Sequence, residues 1–102
     1  EDKEAKKVTG FATTIFANKQ GKINVNVDKY NEAETTVVLL DQVGNIVYRE
    51  KMAVTSTKFR RMLDISQLPY GSYRIEVSSK GEKITKSFEV GDHITSRVIT
   101  MN

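Results

Sequence analysis

The sequence lacks cysteine and tryptophan altogether, and its 102 residues include one proline and one histidine. Without cysteine there is no disulfide framework, no thiolate metal site and no cysteine nucleophile. The longest apolar runs, such as Val37 to Leu40, fall far below the roughly 20 residues that a membrane-spanning helix requires. The fold must therefore depend on the packing of one small core.

Signatures of catalysis are missing as well. The chain has no zinc-protease motif, nucleophile elbow, phosphate loop, dinucleotide fingerprint or calcium loop. Its one histidine, His93, lies in the C-terminal stretch, whereas acid–base catalysis needs several titratable groups that converge. We therefore expect a protein that is not an enzyme and that binds no metal or other cofactor.

Charge is nearly balanced, with 16 basic and 13 acidic residues spread along the chain for a net charge of +3. The densest basic cluster is Lys58, Arg60 and Arg61, which suggests either nucleic-acid binding or a strand protected by charge at a sheet edge. At this mild net charge we favour the edge strand and expect no nucleic-acid partner.

Apolar and polar residues alternate along much of the chain, as they do in half-buried strands. The pattern is clearest from Ile23 to Val27 and from Tyr73 to Val77. Glycine-containing turns separate these strands from five others. The sequence thus predicts an all-β Greek-key sandwich of about seven antiparallel strands, of the immunoglobulin or fibronectin-III type. The five others are Val8 to Phe16, Thr35 to Asp41, Ile46 to Met52, Lys58 to Ile65 and Lys83 to Val90.

We divide the chain into a charged, flexible segment at residues 1–7, one sandwich domain at 8–90, and an extension at 91–102. The extension is predicted to be an extra strand or a tail. The chain opens at Glu1 with charged residues and no apolar signal core. This start is expected either from a cleaved signal peptide or from a chain trimmed by other means.

Two predicted strands carry a basic residue in an inward position. Arg61 lies between Phe59 and Leu63, and Lys86 lies between Ile84 and Phe88. Inward charges are typical of edge strands, where they discourage pairing with other chains and where a long side chain can reach water. We therefore expect both strands at sheet edges.

One predicted strand is apolar on both faces. If Val37 and Leu39 face the core, then Val38 and Leu40 face outward and need cover. The cover is either the chain's own terminal segments, including Ile94, Val98 and Ile99, or a second chain. Val38 and Leu40 are thus a possible partner face, and a homodimer is one way to cover them.

A polar row is a second candidate for binding. Asn24, Asn26 and Asp28 share one strand face, where their oxygens can bind sugars or calcium or can be hydrated by solvent. We favour hydration by solvent. Any glycan or protein ligand of this chain is left unidentified by its sequence.

The stretch Leu68-Pro69-Tyr70-Gly71-Ser72-Tyr73 predicts a structural motif at a crossover between sheets. A tyrosine here can donate a hydrogen bond to the backbone a few residues upstream, forming a tyrosine corner. Tyr73 is the expected corner, Leu68 the cap on the core, and Pro69 the restriction on the turn. Gly71 is expected to supply a backbone angle that other residues resist.

This stretch, with Leu63-Asp64-Ile65-Ser66-Gln67 before it and the Asp41-Gln42-Val43-Gly44-Asn45-Ile46-Val47 turn, resembles a pattern in secreted proteins of Bacteroidetes. The D-x-x-G turn, with Asp41 and Gly44, and the L-D-[IV]-S-x-L-P-x-G-x-Y run recur in type IX secretion C-terminal sorting domains. They also recur in small stand-alone immunoglobulin-like proteins. The resemblance covers roughly Ile23 to Val90 and implies the sandwich fold and a location outside the cytoplasm.

From these observations we expect a secreted, periplasmic or cell-surface module that binds an unknown protein or glycan. We expect the stand-alone protein, on the interpretation that no cargo domain precedes Glu1, and because the chain continues past the last predicted strand. Two alternatives are a sorting domain that secretion machinery recognises and, with less support, a small enzyme.

Overall fold

The computed structural model describes residues 10–18, 20–93 and 96–101, without the side chains at 92, 93 and 96–98. These residues form two antiparallel sheets and no helix. The predicted all-β sandwich is confirmed. In chain order the strands are β1 (Phe11–Ala17), β2 (Lys22–Lys29), β3 (Thr35–Asp41), β4 (Ile46–Met52), β5 (Lys58–Asp64), β6 (Gly71–Ser79), β7 (Glu82–His93) and β8 (Ser96–Met101).

The sheets have the orders β1-β2-β5 and β4-β3-β6-β7-β8. The chain crosses between them after β2, after β4 and after β5, as Greek-key connectivity requires. No helix in the described ranges has the length and apolar character needed to span a bilayer. The sandwich therefore has two ends, where the loops lie, and two long sides, where the sheet edges lie.

The core follows from the period-two alternation of the strands. Ile23, Val25 and Val27 of β2 are fully buried, as are Ile75 and Val77 of β6. Their sequence neighbours point away from the core, because successive strand side chains lie on opposite faces. Burial of each such side chain is worth roughly 1.5–3 kcal/mol relative to exposure. The two predicted alternating runs are thus the two central strands of the core.

The C-terminal stretch continues the larger sheet. Residues 88–93 of β7 pair with β8, so that Phe88 lies beside Met101 and Val90 beside Ile99. The expectation that the Lys86 strand lies at an edge is therefore wrong for β7 as a whole, which pairs with β6 on its other side. Lys86 itself lies in the half of β7 that pairs, among the described residues, with β6 alone.

The strand that carries Arg61 does lie at an edge. β5 ends the smaller sheet and β4 ends the larger one, and both lie on the same long side of the sandwich. Arg61 reaches across this side to Glu50, with Nε 2.8 Å from Oε1. Tyr48 also donates a hydrogen bond to Glu50, and the Arg61 guanidinium lies 5.0 Å from the centre of the Phe59 ring. The inward arginine therefore links the two sheets.

A buried lysine holds one end of the sandwich together. Lys29 is 3% exposed, and its Nζ donates to the carbonyl oxygens of Ala33, Ala53 and Val54 at 2.8, 2.8 and 2.9 Å. Three acceptors match the three N–H bonds of an ammonium group. The acceptors belong to the two crossover loops, 30–34 and 53–57, so we call this the lysine end.

Candidate functional site

The opposite end contains the β3–β4 turn at 41–45 and the β5–β6 crossover at 65–70, and we call it the turn end. In the first turn, Asp41 Oδ1 accepts hydrogen bonds from the backbone N–H groups of Asn45 at 2.8 Å and Val43 at 3.0 Å. These bonds, that from Asn45 foremost, hold the pKa of Asp41 below its usual value. Gly44 has a φ of +93°, which glycine adopts without strain.

The second loop at this end is also held by a carboxylate. Asp64 Oδ1 accepts a hydrogen bond from the backbone N–H of Ser66 at 3.0 Å, and this bond lowers the pKa of Asp64. The N–H of Leu68 donates to the carbonyl of Ile65 at 3.0 Å. Leu68 packs against the core. The L-D-I-S-x-L run thus contains its own turn and the apolar contacts that anchor it.

Tyr73 fixes the start of β6. Its hydroxyl donates to the carbonyl oxygen of Pro69 at 2.5 Å, and its ring stacks on Phe88 with the centroids 5.6 Å apart. The side chain is 6% exposed. Gly71, two residues earlier, has a φ of +152°, a value that a side chain would strain. This is the geometry of a tyrosine corner.

The two loops lie side by side because Asp41 and Tyr73 are register partners in β3 and β6. The Gln42 side-chain oxygen lies 3.8 Å from where a Cβ at Gly71 would be. Each loop presents one large exposed apolar or aromatic side chain: Val43 is 75% exposed and Tyr70 is 57% exposed. The turn end is therefore a surface of hydrogen-bonded loops with two exposed side chains.

A cleft of about 350 Å³ opens near this end, between the edges of β4 and β5. Val47, Met62 and Leu68 line its apolar part, and Arg61 and Asp64 are also among its lining residues. Val47 and Met62 are 42% and 50% exposed. Such a cleft can accept an apolar side chain from a protein partner, since buried anchors of that kind dominate interface energetics.

The predicted partner face adjoins the same end. Val38 and Leu40 are partly exposed on the outer face of the larger sheet. Leu40 pairs with Ile46 in β4, and Ile46 is 51% exposed. The suggestion that Ile99 covers this face is wrong, because Ile99 pairs with Val90 and packs against the core.

The other two residues of that proposed cover cannot be placed. Ile94 lies outside the described residues, and the side chain of Val98 lies outside the described side chains. The proposal that Val38 and Leu40 contact a partner stays a prediction. Of the two, Leu40 is the one that extends the apolar surface of the turn end, through Ile46.

The polar row on the smaller sheet already has partners within the molecule. Asn24 Oδ1 accepts a hydrogen bond from Asn18 Nδ2 at 2.8 Å, and Asn26 Nδ2 donates to Thr14 Oγ1 at 3.2 Å. Asp28 is paired with Arg60 at 2.8 Å, and this hydrogen bond lowers its pKa. The side-chain groups that could bind a sugar or calcium are thus already engaged in hydrogen bonds or an ion pair within the molecule.

The basic cluster is divided between two faces. Arg60 points outward to Asp28, while Arg61 points inward to Glu50, because the two residues are adjacent in one strand. The hydrogen bond from Arg61 is the main cause of the lowered pKa of Glu50. Each arginine therefore has a carboxylate partner, and the two arginines of the cluster lie on opposite faces of β5.

Neither histidine nor acidic residues form a metal centre within the described ranges. His93 is the last residue of β7, and its side chain is not among those that the structure describes. No group of three or more histidine or acidic residues in the described part could hold a metal ion. The turn end combines exposed apolar side chains with hydrogen-bonded loops and an adjoining apolar cleft. Sequence reasoning did not single out Val43 and Tyr70, because it searched for catalytic and ligand-binding groups.

Comparison with known proteins agrees with the fold and with the turn-end pattern. No curated protein matches the chain with significance. The profile of the secretion system C-terminal sorting domain family matches residues 17–90. The match covers more than half of the chain and includes both loops of the turn end. The suspected relation is therefore confirmed: this chain belongs to the secretion system C-terminal sorting domain family.

Proposed function

We propose that this chain is a non-catalytic sorting domain that the type IX secretion machinery recognises and uses to export an attached protein. The observation that carries the proposal is the family match across residues 17–90. It supports the sorting domain over the stand-alone binding module that the sequence analysis favoured. Family membership implies export, and we further propose that recognition takes place in the periplasm before delivery to the cell surface.

Recognition is proposed to use the turn end. Val43 and Tyr70 supply exposed contact area there, and the cleft between β4 and β5 supplies a pocket beside it. Asp41 and Tyr73 hold the loops through hydrogen bonds to backbone groups. A surface that is already ordered loses less conformational entropy on binding. A protein receptor can therefore bind this end without first ordering it.

The experiment attaches the chain to the C-terminus of a reporter protein with a secretory leader. The fusion is expressed in a bacterium that has type IX machinery and in a matched strain that lacks it. The expected result is reporter at the cell surface or in the medium of the first strain only. Reporter retained in the periplasm of both strains, with the domain intact, would contradict the proposal.

The site is tested with matched pairs of variants, one pair at each end of the sandwich. Val43→Asp and Tyr70→Asp alter the turn end, and Val54→Asp and Tyr30→Asp make the same changes at the lysine end. Val54 and Tyr30 are 47% and 70% exposed, so all four changes leave the core untouched. We expect export to fall about tenfold or more for the turn-end pair, as for loss of an interface anchor, and to persist for the control pair. Equal export by all four variants would place recognition elsewhere.

A further inference from the structure

The edge strands differ in charge, and one of them has none. β4 contains Arg49, Glu50 and Lys51 and has a shift in its pairing with β3. β5 contains four charged residues, and β8 contains Arg97. β1, with the sequence FATTIFA, contains no charge, no proline and no glycine. Natural sheets usually protect their edges with such residues or with bulges, because a bare edge pairs with other strands.

The hydrogen-bonding phase of β1 follows from the bonds that flank it. Tyr30 N–H donates to the Gly10 carbonyl at 2.9 Å, and Asn18 N–H donates to the Lys22 carbonyl at 2.8 Å. Since bonded pairs alternate in an antiparallel ladder, the even-numbered residues of β1 bond to β2. The backbone groups of the odd-numbered residues point to the opposite edge, where no described strand pairs with them. These residues are Phe11, Thr13, Ile15 and Ala17.

We propose that β1 is a dimerisation edge, at which the chain pairs antiparallel with β1 of a second copy about a two-fold axis at Thr14. This axis aligns Thr13 with Ile15 of the other copy and Phe11 with Ala17. Both pairs consist of residues whose backbone groups point to the free edge, so the ladder forms with all seven residues in phase. The two smaller sheets become one continuous sheet of six strands.

A second copy fits this edge because the sequence of β1 complements itself. On the outer face the axis places Thr14 opposite Thr14 and Phe16 opposite Ala12 of the other copy. Phe16 is 46% exposed, so pairing covers an aromatic ring with a small neighbour. The threonine pair across the strands is favourable, and no like charges face each other.

The charged edge strands β4 and β5 are poorly suited to the same two-fold pairing. A two-fold axis at the centre of β4 would place Arg49 opposite its own copy, and one at the centre of β5 would do so for Arg61. Like charges directly opposite each other destabilise a strand pair. Isologous pairing is therefore open to β1 and disfavoured at those two edges. A single strand pair buries a small area, so the dimer is expected to be weak and to depend on concentration.

Sedimentation of the whole chain over a wide concentration range tests the proposal. The average mass should rise from 11.5 kDa toward twice that value. Thr14→Lys, which sets two lysines against each other, should keep the mass at that of the monomer. Thr36→Lys is the matched control, because Thr36 lies in β3 between β4 and β6, and it should dimerise like the parent. Thermal unfolding of each variant checks that the fold is kept.

Cysteine trapping detects the contact even when the dimer is weak, and the chain has no cysteine to interfere. Thr14→Cys should form a disulfide-linked dimer on mild oxidation about tenfold faster than Asn26→Cys, given the higher effective concentration at the axis. Asn26 pairs with Thr14 one strand further in and is therefore a close control. A parent that is monomeric at every concentration, with equal trapping of the two cysteine variants, would overturn the proposal.

Discussion

The two ends of the sandwich are held by different chemistry. At the turn end, the carboxylates of Asp41 and Asp64 accept hydrogen bonds from backbone N–H groups within their own loops. At the lysine end, one ammonium group donates to carbonyl oxygens in two separate loops. The first arrangement is local and shapes a surface, whereas the second is long-range and fastens crossovers. We therefore expect substitutions at the lysine end to affect folding most.

The largest effect is expected for Lys29→Met. The change removes three hydrogen bonds and leaves the carbonyl oxygens of Ala33, Ala53 and Val54 without their donor, at a cost of about 2–4 kcal/mol of unfolding free energy. Lys22→Met, on the outer face at the other end of β2, is the control and should change stability by less than about 0.5 kcal/mol. Urea denaturation measures both.

An unchanged or raised unfolding free energy for Lys29→Met would contradict this expectation. It would mean that the desolvation free energy of the buried ammonium group equals or exceeds the stabilisation from its three hydrogen bonds. The lysine end would then be held by loop packing, and the contrast between the two ends would lose its physical basis.

The same contrast explains what could be predicted from the sequence. The two turns of the turn end were predicted separately, because Asp41, Gly44, Pro69 and Tyr73 act on backbone within a few residues, so their spacing is visible in the chain. Lys29 was missed because its partners at 53–54 are distant in sequence and are backbone oxygens, which carry no sequence signature. The prediction that the whole Lys86 strand lies at an edge failed for a related reason, since strand order is a property of the whole fold.

A smaller effect is expected from Tyr73→Phe at the turn end. This change removes the hydrogen bond to the Pro69 carbonyl and keeps the ring stacked on Phe88, and should lower the unfolding free energy by about 1–2 kcal/mol. Tyr30→Phe, at an exposed position of the lysine end, should have no measurable effect. Equal unfolding midpoints for Tyr73→Phe and the parent would show that the corner bond contributes nothing to stability.

Acid should weaken the turn end through Asp41. Its folded-state pKa lies below the ordinary value of 3.8, so the carboxylate stabilises the fold above that pH. The contribution is lost as pH falls through the folded-state pKa, because the proton then competes with the N–H donors. Asp41→Asn does not titrate, so its stability deficit relative to the parent should be present at pH 7 and shrink as the pH falls below 3.8. A deficit that is constant with pH would contradict the assignment.

The smallest effect on stability is expected from the four exposed-residue variants, Val43→Asp, Tyr70→Asp, Val54→Asp and Tyr30→Asp. All four side chains are at least 47% exposed, so they contribute little apolar burial, and each change should stay within about 0.5 kcal/mol of the parent. Equal stability across the set sharpens the comparison, because any difference in export between the ends then reflects recognition. If the turn-end variants instead unfold at clearly lower urea concentrations than the lysine-end pair, Val43 and Tyr70 support the fold. Their loss of export would then no longer identify a receptor-binding surface.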